Sequence, residues 1–277
     1  MQLHVDTLEN VSRAELAAVL NAAFANYFVE IKLDEGQLDD KIALERIDLS
    51  MSAGAFAEGR LVGFALIGIE GETSYNGGTG VLPEFRGNAL TARMYGLIIP
   101  KLRIASIRSH TLEVIIENTA AIGAYQSIGF SRLRTLACFS GKAEIARGND
   151  SVELRQLDDI EDDIAVAFCN ALPSWQNSLA AVRKLPNSHD LIGAFLGREL
   201  AGYLIYSGRR VKQFAVAPQH RHRGIGTALF SQFAGDEIAI TNIDRSDSVT
   251  ISFLEKLGLK AYLEQYEMML GCGEVFP

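Results

Sequence analysis

Cysteine, histidine and tryptophan are scarce in this chain of 277 residues, with 3, 5 and 1 copies. Cys138, Cys169 and Cys272 are too few and too far apart for a disulfide framework or a thiolate zinc site. Small buried thiols in a reducing compartment are the plainer reading. His4, His110, His189, His220 and His222 show no metal-ligand spacing, so no metal is expected. No apolar run reaches the roughly 20 residues of a membrane-spanning helix, and the N-terminal residues do not form a signal peptide. Positive charge is also in deficit: 26 Lys and Arg against 34 Asp and Glu give a net charge of −8. That balance argues against a nucleic-acid or acidic-membrane partner. The expectation is a soluble cytoplasmic protein, a monomer or homodimer. Two phosphate-binding signatures are missing as well. No Gly-x-Gly-x-x-Gly opens a helix with an acid about 20 residues on, and no loop ends in Gly-Lys-[Ser/Thr].

What is present is an ordinary globular composition, 48% hydrophobic and 22% charged. At about 150 residues per domain the length suggests two domains. Leu3 to Leu8 reads as a strand. Ser12 with Glu15 forms a capping box for a helix from Ala14 to Phe24. A charged, partly helical segment runs to Asp48. A hairpin follows at 52–68, then a strand at Gly78 to Leu82, a helix from Leu90 to Arg103 interrupted by Pro100, and a strand at 111–116. A helix from Thr119 stops at Gly129, and a strand at Leu136 to Phe139 closes the set. The polar stretch 141–150 reads as a linker. The order then restarts: strand 152–155, helix 159–172, hairpin 191–206, strand 211–216, strand 237–241, helix 248–257 stopping at Gly258, and strand 261–270. Arg60/Arg198, Val81/Val216 and Gly129/Gly258 are offset by 138, 135 and 129 residues. A repeat of that length is a domain, not a solenoid unit. The expected fold class is α/β, an α+β mixed sheet in two tandem domains, residues 1–141 and 151–277.

The sharpest local pattern is Phe214 to Phe230. An apolar strand stops at Pro218, a basic turn carries two glycines, and a helix opens at Thr227. The first N–H groups of a helix lack intrahelical acceptors and sit at the positive end of its dipole, which suits a phosphate. Gly224 and Gly226 allow close backbone approach, and Arg221 and Arg223 add charge. A weaker copy lies upstream, where Val81, Pro83 and Arg86 align with Val216, Pro218 and Arg221. Ala89 and Thr91 stand where the second copy has glycines.

This order of elements, with strands ending Val-x-Pro-x-x-Arg and glycine-containing loops, resembles the GNAT superfamily of N-acetyltransferases, in tandem form. The resemblance covers essentially the whole chain. It implies two acyl-CoA N-acyltransferase folds and acetyl-CoA as acyl donor, with its pyrophosphate on loop amides. Arg221-His222-Arg223-Gly224-Ile225-Gly226 fits the family's [Gln/Arg]-x-x-Gly-x-[Gly/Ala] fully. Arg86-Gly87-Asn88-Ala89-Leu90-Thr91 keeps the arginine and departs at both glycine slots. The implied donor-binding residues are Val81, Leu82, Arg86, Gly87, Asn88, Ala89, Leu90, Thr91 and Asn118, with Val216, Ala217, Arg221, His222, Arg223, Gly224, Ile225, Gly226 and Thr227 in the second copy.

The stretch Asn118 to Phe130 resembles the family's Asn-x-x-Ala-x-x-x-Tyr-x-x-x-Gly-Phe. By resemblance Asn118 holds the pantetheine region and Tyr125 protonates the leaving thiolate. In the second copy Asp247 and Leu254 fall at those two places. The copies are thus complementary in their defects, and the first is favoured for chemistry because a proton donor is harder to replace than a glycine. A backbone N–H near Leu82 or Ala217 would polarise the thioester carbonyl. Glu113 is the candidate base, with Glu117 nearby; a solvated strand-edge charge is the alternative for either. The tyrosine likewise has the alternative of a satisfied core hydroxyl. The acids Glu30, Asp34, Glu35, Asp39 and Asp40 suggest a cationic acceptor or simply a solvated face. The implied activity is N-acetyl transfer to a primary amine of a small molecule or peptide by direct attack. The competing function is a non-catalytic acyl-CoA-binding or assembly module.

Overall fold

The computed structural model describes residues 2–25, 27–29, 31–145, 149–184 and 188–272. Its elements in chain order are β1 (Leu3–Thr7), α1 (Arg13–Ala23), α2 (Glu35–Glu45), β2 (Ala53–Ala57), β3 (Arg60–Glu70), β4 (Thr73–Val81), α3 (Leu90–Ile104), β5 (Ser109–Ile115), α4 (Thr119–Ile128) and β6 (Ser131–Lys142). The repeat continues with β7 (Val152–Gln156), α5 (Asp162–Phe168), α6 (Leu179–Val182), β8 (Asp190–Leu196), β9 (Glu199–Ser207), β10 (Arg210–Val216), α7 (Ile225–Phe230), β11 (Glu237–Asp244), α8 (Ser248–Lys256) and β12 (Lys260–Gly271). The mixed α/β character expected from the sequence is present. Among the described residues no helix is long and apolar enough to cross a membrane.

The chain forms two compact units, Met1–Leu133 with Tyr266–Pro277, and Arg134–Gln265. The sequence reading divided it at 141 and 151 instead. The difference lies in the two closing strands: β6 passes at residue 134 into the second unit, and β12 at residue 266 into the first. Local patterning announces a strand but not its neighbour, so the exchange has no sequence signal. Linker residues 146–148 and the acid Glu30 lie outside the described residues.

In the first unit the strand order is β1-β2-β3-β4-β5-β12. β1 to β4 form an antiparallel meander, and β4 pairs with β5 in parallel. Leu61 to Gly68 of β3 is buried without a break, the signature of a central strand covered on both faces. Leu16 and Leu20 of α1 and Met94, Ile98 and Leu102 of α3 join that core. Ser12 caps α1 by accepting from the Glu15 amide at 3.2 Å. The Glu15 carboxylate does not close the box; it accepts from the Leu61 amide. The complete capping box is at α2, where Asp34 and Gln37 each accept the other's backbone N–H. Helix α3 runs through Pro100 to Ile104, so the proline does not interrupt it as expected. Met268, Leu270 and Cys272 complete the unit's apolar clusters.

In the second unit the order is β6-β11-β10-β9-β8-β7. β10 and β11 are its parallel pair, and β6 runs antiparallel to β11. The shrinking repeat offset has a concrete cause: α7 has 6 residues where α3 has 15. The first helix of this copy is also shorter than expected, ending at Phe168, not near residue 172.

A fragment ending at residue 145 lacks the Met268 and Leu270 side chains that fill the first unit. Losing one such buried side chain alone costs about 2–5 kcal/mol. Expressed alone, that fragment is expected to show no cooperative thermal transition by circular dichroism. Co-expression with residues 149–277 should restore one.

Candidate functional site

The site in the first unit begins with a fault in the sheet. The β4 register against β3 shifts between Leu66 and Ile67, leaving Gly77 as an extra residue. Pairing of β4 with β5 ends at Asn76↔Leu112. Beyond that point the two strands part, and their facing amides have no ladder partner. Leu82 N–H donates to Val62 O at 2.9 Å, so among the amides near Leu82 this one is already taken. Alternation along an antiparallel strand turns the Val81 N–H to the opposite edge, toward the opening. The Val81 carbonyl faces that way too, and accepts from Arg86 Nε at 3.2 Å. In the second unit Ala217 N–H is likewise taken by Ala201 O at 2.9 Å.

After β4, Pro83–Phe85 forms one 3-10 turn, and the chain reaches α3 through two left-handed residues, Gly87 (φ 80) and Ala89 (φ 51). In the second copy the equivalent positions are His222 (φ 60) and Gly224 (φ 77). The two loops therefore share one backbone path. Each places a glycine at one left-handed position and a residue with a Cβ at the other. The helices they open, α3 and α7, have no side-chain cap, whereas α1, α2, α4, α6 and α8 are all capped. Leu90, Thr91 and the loop amides of 87–89 thus present donors at the mouth of the parted strands.

Arg86 Nη2 donates to Ala23 O at 2.9 Å, and Arg221 Nη2 to Phe168 O at 2.9 Å. Each guanidinium joins the end of a strand to the end of the first helix of its copy. Asn88 donates to Phe85 O at 3.0 Å. Arg223 donates to Nδ1 of the buried His220, which also meets Glu199 at 2.8 Å. Asn149 closes over the second loop, donating to Arg223 O at 2.9 Å.

Asn118 caps α4, accepting from Ala121 N–H at 3.2 Å, and its amide donates to the Tyr27 hydroxyl at 3.2 Å. Tyr27 was not anticipated as a site residue. Its only signal was position, at the start of the segment that follows α1. Burial raises its pKa, with Asn118 opposing. Tyr125 is buried, 7% exposed, and packs at the opening against Tyr95 and Phe130. Its hydroxyl accepts from Asn76 Nδ2 at 3.3 Å. Burial raises its pKa, while Thr79 and Asn76 pull the other way.

Leu112 and Val114 share Tyr125's cluster, so alternation turns Glu113 to the other face of the sheet. There its carboxylate bonds the buried Tyr75 hydroxyl. The Tyr75 pKa lies well above its ordinary value, through burial first and then Glu113, Glu45 and Glu267. Glu113 is half-buried. Glu45 is also tied to Lys41 at 2.5 Å. Other acids are spent structurally: Asp34 caps α2 and Asp39 pairs with Arg13.

The second unit's opening is more pronounced. β10 and β11 pair only at Arg210↔Ala239 and Val211↔Ile240. A cavity of about 560 Å³ lies there, lined by residues including Cys169, Gln213, Val216, Gly226, Asp247 and Phe253. Asp247 caps α8 as Asn118 caps α4, and Leu254 is fully buried at the tyrosine position. Five residues before each cap, the first copy has Glu113 and the second has Asn242. Asn242 donates to Ser174 Oγ at 3.0 Å and accepts from Gln265 at 2.5 Å. No group of three or more His, Cys, Asp or Glu suited to a metal occurs among the described residues.

Residues 16–130 match the acetyltransferase (GNAT) family. The first unit is a GNAT-family domain. No curated protein sequence matches the chain, but solved structures match its full length. A tandem GNAT protein from the clavulanic acid biosynthesis pathway is 13% identical, with 99% of each chain covered and a TM-score of 0.71. A GCN5-related N-acetyltransferase from Sphaerobacter thermophilus is 13% identical over 98% of this chain and 96% of its own, with a TM-score of 0.71. One from Anabaena variabilis is 13% identical over 98% and 73%, with a TM-score of 0.66. At such identities the likeness concerns the fold: a tandem GNAT arrangement across the whole chain.

Two outcomes follow from this geometry. Ala89→Gly should raise stability by about 1 kcal/mol, because it relieves a left-handed alanine. Gly87→Ala should lower it similarly, since nothing lies within 4 Å of the added Cβ and only backbone strain enters; urea denaturation reads both. Buried His110, between Ser74 at 2.8 Å and Tyr95 at 3.3 Å, has its pKa lowered by burial to about 3. Its unfolded value is higher, so below about 6.5 the unfolded state binds the extra proton. Stability should therefore fall by about 1.4 kcal/mol per pH unit between about 6.5 and 3. His110→Gln should remove that part of the slope.

Proposed function

We propose that this protein is an N-acetyltransferase that uses acetyl-CoA to acetylate a primary amine of a small molecule or peptide, with the chemistry in the first unit. The observation that carries the reading is the placement of Tyr125 and Glu113 on opposite faces of the sheet where β4 leaves β5. An amine arriving on one face and a thiol leaving on the other need that arrangement. The donor fits the site: the uncapped α3 offers amides for a diphosphate, and the parted strands offer amides for an extended arm that can pair like a strand.

Glu113, with its hydrogen bond to Tyr75, takes a proton from the acceptor's ammonium, directly or through water, and the neutral amine then attacks. The Val81 N–H donates to the carbonyl oxygen as negative charge builds there. Tyr125 supplies the proton that the departing sulfur requires. The carboxylates around Tyr75 favour a cationic acceptor on the Glu113 face.

The 560 Å³ cavity supports a second reading for the other unit. It has the size of a ligand pocket, and the Asn242 amide and Leu254 replace the base and the acid. In that reading unit 2 holds acyl-CoA without turning it over.

Tyr125→Phe is expected to lower the rate of free-thiol release from acetyl-CoA by at least about 100-fold across a panel of primary amines, with Glu113→Gln falling comparably. Calorimetric affinity for coenzyme A should change little in either. Wild-type protein that binds coenzyme A yet acetylates no amine would establish the binding module instead.

A further inference from the structure

Asn76 sits at the last paired position of β4, only 4% exposed, and every polar atom of its side chain is engaged. Its Oδ1 accepts from Gly78 N–H at 2.9 Å. Since that neighbour is a donor, the amide orientation is settled: Nδ2 faces Thr79 Oγ1 at 2.8 Å and the Tyr125 hydroxyl at 3.3 Å. One carboxamide therefore bridges the bulge that opens the strands and the phenol that lines the opening. The Tyr125 ring is held by edge contacts with Tyr95 and Phe130, at centroid distances of 6.2 and 5.6 Å. Packing fixes the ring plane but not the direction of its O–H. A donor aimed at the phenol oxygen occupies a lone pair and turns the O–H away from itself.

We propose that Asn76 is a positioning residue for acyl transfer: its amide holds the Tyr125 hydroxyl so that the phenol proton points into the gap between β4 and β5. This rests on the reading of Tyr125 as the acid. As the C–S bond breaks, its electron pair goes to sulfur, which takes the Tyr125 proton. The amine proton goes to Glu113 or its water, and the phenolate regains a proton from solvent. While the phenolate exists, the amide of Asn76 donates to a full negative charge and its hydrogen bond strengthens. The second copy has neither group, with Leu254 at the tyrosine position and Val211, the corresponding last paired residue of β10, at the asparagine position.

The decisive variant is Asn76→Asp. It keeps an acceptor for Gly78 N–H, and so the bulge, but replaces the donor to Tyr125 with a carboxylate. In protein labelled with 3,5-difluorotyrosine, the Tyr125 fluorine signal is assigned by its loss in Tyr125→Phe. Its ionisation midpoint should rise by at least about one pH unit in Asn76→Asp, and by less in Thr79→Val. With acetyl-CoA and a primary-amine panel, Asn76→Asp should lower kcat at least about tenfold with little change in KM for acetyl-CoA. The double variant with Tyr125→Phe should be no slower than Tyr125→Phe alone.

An unchanged midpoint in a folded Asn76→Asp protein overturns the proposal, as does a loss that adds to that of Tyr125→Phe. Where Asn76→Asp does not fold, an unchanged midpoint in Thr79→Val has the same force. If Tyr125→Phe leaves turnover intact, the assignment of the acid itself falls. If Tyr125→Phe is slow but Asn76→Asp is not, only the role of Asn76 falls.

Discussion

Two parallel strands that part in the middle of a sheet leave backbone amides without partners, and buried amides without partners are costly. Everything at the candidate site follows from how this chain meets that constraint. Gly77 is inserted opposite β3, Asn76 ties the resulting kink through Gly78 and Thr79, and Arg86 satisfies the outward Val81 carbonyl. What is left unmatched is a short row of donors beside an uncapped helix. A diphosphate on an extended amide-bearing arm complements that row; a neutral compact ligand does not. The fold leaves its backbone hydrogen bonding incomplete at the opening, and the surrounding side chains keep it from collapsing.

The loop comparison shows why glycine positions alone were a misleading measure of decay in the first copy. Read as a motif, Ala89 and Thr91 are two losses. Read as backbone, the path needs left-handed residues at 87 and 89, and glycine at the first already supplies half of the need. The second loop supplies the other half, at Gly224. Both loops retain the uncapped helix start, and each carries one left-handed residue with a Cβ, so in backbone path and strain the two copies are alike. The arginine common to both motifs is kept for architecture, since each guanidinium bonds two main-chain carbonyls.

Much of this was legible in the sequence, and the limits follow from range. Strand, helix and turn signals are local, so the repeat and the loops could be read from residue patterns a few positions long. The Asn118 register placed Tyr125 at the opening for the same reason. The exchange of β6 and β12 depends on which strand lies beside which, and both strands look alike to local patterning. Tyr27, Asn76 and Tyr75 were missed because each acts through a partner dozens of residues away, Asn118, Tyr125 and Glu113 respectively. Which of the amides near Leu82 is free could not be read from the sequence, because only the β3 ladder shows which N–H groups are already taken.

The two copies diverge most on the face opposite the tyrosine, and the divergence is electrostatic. Around Tyr75 the first unit collects Glu45, Glu113 and Glu267. Holding several carboxylates in a partly buried space is unfavourable unless cations or donors compensate; Lys41 pairs with Glu45 at 2.5 Å, and Arg46 also interacts with Glu45. A field of that sign attracts an ammonium and favours its charged form, so proton removal there needs a specific base. In the second unit neutral pairs line the matching space: Asn242 with Ser174 and Gln265, and Tyr203 with Gln213 at 2.8 Å. Such pairs satisfy one another and exert no net pull on a charge. The two copies of the fold thus differ in what lies across the sheet from the opening, while the parted strands and the loop path stay the same.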